Sequence, residues 1–187
     1  MIKNVKVYGL EESIKASKYP FATDTDACNE RMTERVMCLG KSERGSGHDQ
    51  FLTGIVVQFD LTLSLKAWAE AERYHFLDFV SSQSTMHTIK RFDVEQQCNE
   101  WVLPGIIGQV EDLAKAYNDD PSDTNFLRLI YNIPTGFRLT ARMTTNYRQL
   151  KTIYAQRKSH RLPEWREFCK VIEGMPYSEL ITMEGKV

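Results

Sequence analysis

Apolar and polar residues alternate between positions 137 and 144. Phe137, Leu139, Ala141 and Met143 are separated by Arg138, Thr140, Arg142 and Thr144. A period of two belongs to a strand with one buried face. The period then lengthens: Tyr147, Leu150, Ile153 and Tyr154 fall on one stripe of a helix, and Asn146 stands where its cap is expected. A second strand is predicted over 55–63, IVVQFDLTL, rich in β-branched and aromatic residues. Residues 2–8 alternate weakly as another.

Helical spacing predicts the remaining elements. Cys28, Met32, Val36 and Leu39 give one apolar face to a helix over 25–39, capped by Asp24 or Thr25 and stopped at Gly40. A helix over 65–80 carries Trp68, Ala71 or Glu72, and His75 on one face, with Glu70 and Arg73 as neighbours at i, i+3. The serines of 81–85 (SSQST) break it, because their side chains compete for backbone hydrogen bonds. Residues 93–102 and 106–117 read as two helices split by Pro104-Gly105, then 118–125 as a polar turn and 125–131 as a short amphipathic helix. Pro163 opens a last helix, faced by Trp165, Phe168, Cys169 and Ile172 and ended by Pro176. Residues 42–49, SERGSGHD, are the most loop-like stretch, of the kind that holds binding residues on a rigid frame. No repeat, low-complexity tract or linker interrupts the pattern. It predicts one α+β domain over 1–187, a small antiparallel or mixed sheet covered by helices.

Composition narrows the function. With 187 residues, 42% hydrophobic and 26% charged, the chain can bury a core and should be globular. A net charge of -1 argues against a non-specific binder of nucleic-acid polymers. Basic residues nevertheless crowd between Arg138 and Arg166, while 111–123 is acidic, so a local basic site for a small anion is expected. No apolar run approaches the roughly 20 residues of a spanning helix, and the chain opens on a strand, so no membrane partner and a cytoplasmic location are expected. The cysteines, Cys28, Cys38, Cys98 and Cys169, form no C-x-x-C pair, and a shared helix would hold Cys28 and Cys38 apart. They read as reduced, mostly buried thiols. The histidines, His48, His75, His87 and His160, show no metal spacing.

Several chemistries lack their signatures. Ser81, Ser82 and Ser84 have no G-x-S-x-G elbow, and there is no P-loop and no G-x-G-x-x-G. Asn146 and Arg157, eleven positions apart, return to nearly the same helix face, with Arg148 pointing elsewhere. Guanidinium forks fixed on a helix behind a strand suit an oriented anion; the alternative is a solvated basic face. Tyr147, Tyr154 and Trp165 fit a core better than a stacking platform.

The order of these elements resembles the flavin-dependent thymidylate synthases, in a divergent form. The resemblance is carried by Gly47-His48, a buried strand with Val57 and Phe59, Arg73-Tyr74-His75, a serine-rich segment at 81–84, Asn146-x-Arg148 and Arg157. It runs from about Gly47 to Pro176 and is weakest over 85–130. It implies transfer of a one-carbon unit from methylenetetrahydrofolate to dUMP giving dTMP, with FAD as cofactor, NADPH as a further co-substrate, no protein nucleophile, and a homotetramer with its sites where subunits meet. It implies cofactor contacts for His48, Arg73, His75, Asn146 and Arg148. Substrate contacts are implied for Glu70, Arg73, Ser82, Ser84 and Arg157, with Arg73 and Arg157 nearest the chemistry. A nucleotide monophosphate carries about two negative charges near pH 7, which arginine forks bind well.

The chain also departs from that family. Tyr74-His75 replaces the end of an R-H-R motif, Thr53 stands for a glutamate and Glu70 for a glutamine. Ser81-Ser82-Gln83-Ser84 stands for N-E-x-S, Met86 or His87 for an arginine, and Ile130 for another, with Arg128 as its possible substitute. These changes motivate an alternative, a catalytically degenerate nucleotide-binding protein, and a weaker one, a structural oligomer without ligand. Two side chains have bland readings as well: Arg73 can pair with Glu70 along one helix, and His75 can pack against the sheet.

Overall fold

Alternation places Val57, Phe59, Leu61 and Leu63 on one face of strand β2 (Val56–Ser64), each almost wholly buried in the computed structural model, which describes residues 1–183. The same rule places Ala141 and Met143 on the matching face of β4 (Arg138–Asn146). The two strands pair antiparallel in a continuous register, Phe59 opposite Met143 and Leu61 opposite Ala141. β1 (Ile2–Tyr8) adds to β2 and β3 (Asp78–Ser82) adds to β4, giving one antiparallel sheet in the order β1-β2-β4-β3.

Ten α-helices are interleaved with the strands among the described residues: α1 (Leu10–Ala16), α2 (Glu34–Lys41), α3 (Leu65–Ala71), α4 (Thr85–Thr88), α5 (Val94–Gln97), α6 (Pro104–Asp119), α7 (Asp123–Tyr131), α8 (Tyr147–Arg157), α9 (Pro163–Glu173) and α10 (Glu179–Thr182). α8 and α9 close the inner face of β2 and β4, with Tyr147, Leu150, Ile153, Trp165, Phe168 and Ile172 in one cluster. Phe59 meets Phe168 edge-on at 5.8 Å. A smaller core joins α6 and α7 to Phe137 through Val110 and Leu129. The architecture is α+β, as the periodicities predict.

Local structure departs from expectation in four places. The helix predicted over 25–39 begins only at Glu34, as α2, capped by Thr33, and not at Thr25. Upstream, Asp24 and Asn29 turn their side chains onto the amides of Asp26 and Arg31, and Lys18 Nζ binds the Asn29 carbonyl, its side-chain oxygen and the Arg31 carbonyl at 2.6, 2.7 and 2.9 Å. Short polar side chains that bond nearby backbone in this way oppose the helix. The helix predicted over 65–80 stops at Ala71. Phe76 takes φ 62, and residues 78–82 pair with β4 as a strand, so Ser81 and Ser82 belong to β3 and not to a turn. The open edge of β4 supplies the backbone partners, and tertiary pairing outweighs local helix propensity.

The helix predicted over 93–102 shrinks to α5, because Cys98 bridges to Phe137 and the Asn99 amide donates to Gly136 O. Pro104 is the first residue of α6, which runs on to Asp119, and α7 starts at Asp123, so the polar turn predicted over 118–125 is only the short link between them. All four cysteines are free. Cys98 and Cys169 are buried, but Cys38 is exposed on α2, correcting its reading as a buried thiol.

Candidate functional site

Asn146 ends β4 in an extended conformation and starts α8. Its side-chain oxygen accepts from the Gln149 amide at 2.9 Å, the cap expected from sequence. Two adjoining depressions lie along α8 and share Gln149 and Thr152. The first, of about 500 Å³, is lined by Arg44, Asp49, Thr53, Phe76, Asn146 and Arg148 among others. The second, of about 320 Å³, is lined by Arg73, Tyr74, His75, Gln156 and Arg157. Asn146 thus shares a cavity with Arg148 rather than with Arg157. An N-cap lies outside the helical φ/ψ region, so a count of 3.6 residues per turn does not carry its side chain along the helix.

The cations of the groove differ in how far they are committed. Arg157, 9% exposed, donates Nε to Tyr74 Oη at 2.6 Å and Nη1 to Glu70 Oε2 at 2.8 Å, and Nη1 lies 2.8 Å from His160 Nε2. Its guanidinium also sits over the Trp165 ring, 4.7 Å from the centroid. Glu70 Oε2 takes a further bond from Trp165 Nε1 at 3.1 Å, and Lys66 Nζ lies 3.7 Å from Oε1. Glu70 therefore pairs with Arg157, 87 positions away, and not with Arg73, which lies past the end of α3. Arg73 is exposed and makes no hydrogen bond or ion pair among the described residues. His75 is exposed beside it rather than packed against the sheet.

Arg148 is anchored differently. Its Nε donates to Asp49 Oδ1 at 3.1 Å, while Asp49 Oδ2 takes Lys151 Nζ at 3.2 Å. Lys151 and Asp49 are each 1% exposed, and Nζ also donates to the Ser42 carbonyl and, at 2.9 Å, to Gly40 O. This buried pair ties the loop after α2 to α8. Sequence reasoning passed over both residues. The available signal was a lysine on the apolar stripe, four positions after Tyr147 and three before Tyr154.

Other residues singled out from sequence lie apart within this chain. His48 is exposed and lines a separate depression with Phe21, Leu39 and Phe51. Ser82, opposite Ala141, and Ser84, whose Oγ lies 2.9 Å from His87 Nδ1, line neither half of the groove. Arg128 on α7 does not line it either. Tyr147 and Trp165 are core, as expected. Burial, with the Glu173 carboxylate accepting its hydroxyl, pushes the Tyr154 phenol up to about 12, so it stays protonated. The groove is a set of donors without an activated nucleophile, suited to binding and orienting an anionic ligand.

No protein-family model matches the sequence, and no curated protein is similar to it in sequence. Solved structures are similar in fold. A crystal structure of the flavin-dependent thymidylate synthase ThyX from Helicobacter pylori, complexed with FAD and dUMP, superposes with a TM-score of 0.74 over 97% of this chain and 98% of that one, at 15% identity. The chain has the fold of a flavin-dependent thymidylate synthase. A second structure of the Helicobacter pylori protein, also with FAD and dUMP, gives a TM-score of 0.73 at 16% identity over the same shares. Among the described residues, no helix is long and apolar enough to cross a membrane.

Proposed function

We propose that this protein binds FAD and a pyrimidine nucleotide and moves a one-carbon unit from methylenetetrahydrofolate to dUMP, giving dTMP, with NADPH as reductant. The supporting observation is the groove along α8. It brings Asn146 and Arg148 next to Arg73, His75 and Arg157, in a fold shared over nearly the whole chain with a protein crystallised with FAD and dUMP.

The donor set fits a flavin nucleotide. Asn146, Arg148, Gln149 and Thr152 offer amide, guanidinium and hydroxyl donors to a diphosphate or a carbonyl edge, and Phe76, 66% exposed, offers a ring face in the same depression. When bound, the flavin supplies redox chemistry that no side chain can. The chain's own residues bind and orient. Arg73 offers an uncommitted cation to a phosphate, and Arg157 is held rigid by Tyr74, Glu70 and Trp165. His48, Ser82 and Ser84 would join the site only from a neighbouring copy, as in a homotetramer.

Purified protein should absorb in the flavin bands, or do so after reconstitution, and release tritium from dUMP labelled at C5. A colourless protein that flavin does not restore defeats the proposal. A second function, nucleotide binding without flavin chemistry, draws on the commitment of Arg148 to Asp49 and of Arg157 to Glu70. Thermal stabilisation by nucleotides but not by flavin would favour it.

A further inference from the structure

We propose that Glu70 is a specificity-determining residue. By holding Arg157 it limits the negative charge that the groove accepts and leaves Arg73 as the phosphate grip. The proposal rests on the groove being a nucleotide site.

The physical basis is a count of commitments around one guanidinium. Nε is spent on Tyr74 Oη and Nη1 on Glu70 Oε2, leaving Nη2 as the donor most open to a ligand; His160 accepts the Leu162 amide at Nδ1, so its Nε2 carries the proton of the neutral ring and takes no bond from Nη1. The Glu70 carboxylate, 2.8 Å from Nη1 and with an 18% exposed side chain, cancels most of the field that Arg157 would present to an incoming anion. Trp165 Nε1 donates to the same carboxylate oxygen at 3.1 Å and helps to hold it against Arg157. Tyr74 links the assembly further, accepting from Arg157 and donating to Gln156 Oε1 at 2.9 Å. At the other end of the groove, Arg148 Nε is held by Asp49 at 3.1 Å, a carboxylate that it shares with the buried Lys151. Arg73 differs: it is exposed at the groove wall, with no partner among the described residues.

A carboxylate at position 70 rather than a neutral amide therefore has a functional consequence. The pair presents Arg157 to the ligand as a rigid, nearly neutral donor. Recognition of the phosphate falls to a single arginine, and the margin between a nucleotide monophosphate and its nucleoside is correspondingly small. Glu70→Gln keeps the shape and an oxygen that accepts from Nη1 and Trp165, but restores the positive charge of Arg157 to the groove.

The experiment is calorimetric titration of the purified full chain with dUMP and with deoxyuridine, for wild type, Glu70→Gln, Arg73→Ala and the double variant. Melting curves verify that each is folded. In wild type the preference for dUMP over deoxyuridine is modest and disappears in Arg73→Ala. In Glu70→Gln it rises at least about tenfold, the worth of one charge-assisted hydrogen bond. In the double variant the preference returns, because Arg157 takes over the phosphate. That rescue is beyond a merely structural Glu70. If Glu70→Gln binds both ligands with wild-type preference, or the double variant shows none, the inference fails while nucleotide binding stands. Absence of binding by every folded variant overturns the inference and the nucleotide site together. Should Glu70→Gln not fold, Glu70→Asp, which keeps the charge on a shorter stem, must retain the wild-type preference; a gain of dUMP preference there also overturns it.

Discussion

Lys151→Met isolates the charge pair with Asp49, in which both side chains are 1% exposed. Methionine nearly matches the aliphatic stem, so the buried volume is largely kept while the ammonium is removed. Three acceptors lose their donor: Gly40 O, Ser42 O and Asp49 Oδ2. Removing one partner of a buried pair costs about 3–5 kcal/mol, because the other charge stays behind without compensation. Asp49 is 1% exposed but retains Arg148 at 3.1 Å, which places the loss near the lower limit, about 3 kcal/mol. For a chain of this size that corresponds to a fall in Tm of roughly 6–12 °C. Urea unfolding followed by tryptophan fluorescence measures it, since Trp165 of α9 is wholly buried in the core cluster that α8 shares. Asp49→Asn with Lys151→Met should recover part of the loss, giving a coupling energy of about 1 kcal/mol or more. A single variant melting within about 1 °C of wild type, or a double variant no better than additive, would refute the view that this pair holds the loop onto the helix.

Other substitutions test other links. Asn146→Ala removes the α8 cap and should cost about 1 kcal/mol in urea unfolding while leaving a folded protein; an unchanged midpoint would mean that the cap bond is redundant. Gly9 has φ +68, and a Cβ there would meet Gly54 O at 2.6 Å, a backbone atom that cannot step aside. Gly9→Ala should therefore lower stability by at least about 2 kcal/mol, and a neutral result would show that the β1–α1 turn can relax. Burial pushes the Cys169 thiol up to about 11 from 9.0, so the folded state prefers the neutral form. The resulting stability is fully present below pH 9.0 and is lost as pH rises toward about 11, visible as a falling Tm over that window. At pH 8, Cys38 should react with a thiol reagent in the native protein, whereas Cys98 and Cys169 should react only on unfolding.

Much of the frame was legible locally. The alternation at 137–144 and the stripe through Tyr147, Leu150 and Ile153 each report which side of a backbone faces the core, and that periodicity needs no partner to be seen. Pro163 at a helix start and Asn146 as a cap are likewise set by neighbours a few positions away. β3 was not legible. Its residues are all exposed, so no burial pattern marks them, and they become a strand because β4 has an edge to pair with. The first part of the helix expected over 25–39 gave way to side chains of Asp24, Asn29 and Lys18, whose contacts were not visible in an apolar periodicity.

The candidate site divides the same way. Sequence by itself determined that Asn146, Arg148 and Arg157 sit at the two ends of one helix directly behind a strand, because helix and strand periods fix the order of side chains along an element. Tertiary structure alone decided what each cation is worth. Arg157 faces Glu70 from 87 positions away, Arg148 and Lys151 share Asp49 across the loop after α2, and Arg73 is left exposed without a partner among the described residues. The charge a ligand meets depends on distances between elements far apart in sequence, and no local pattern encodes those distances.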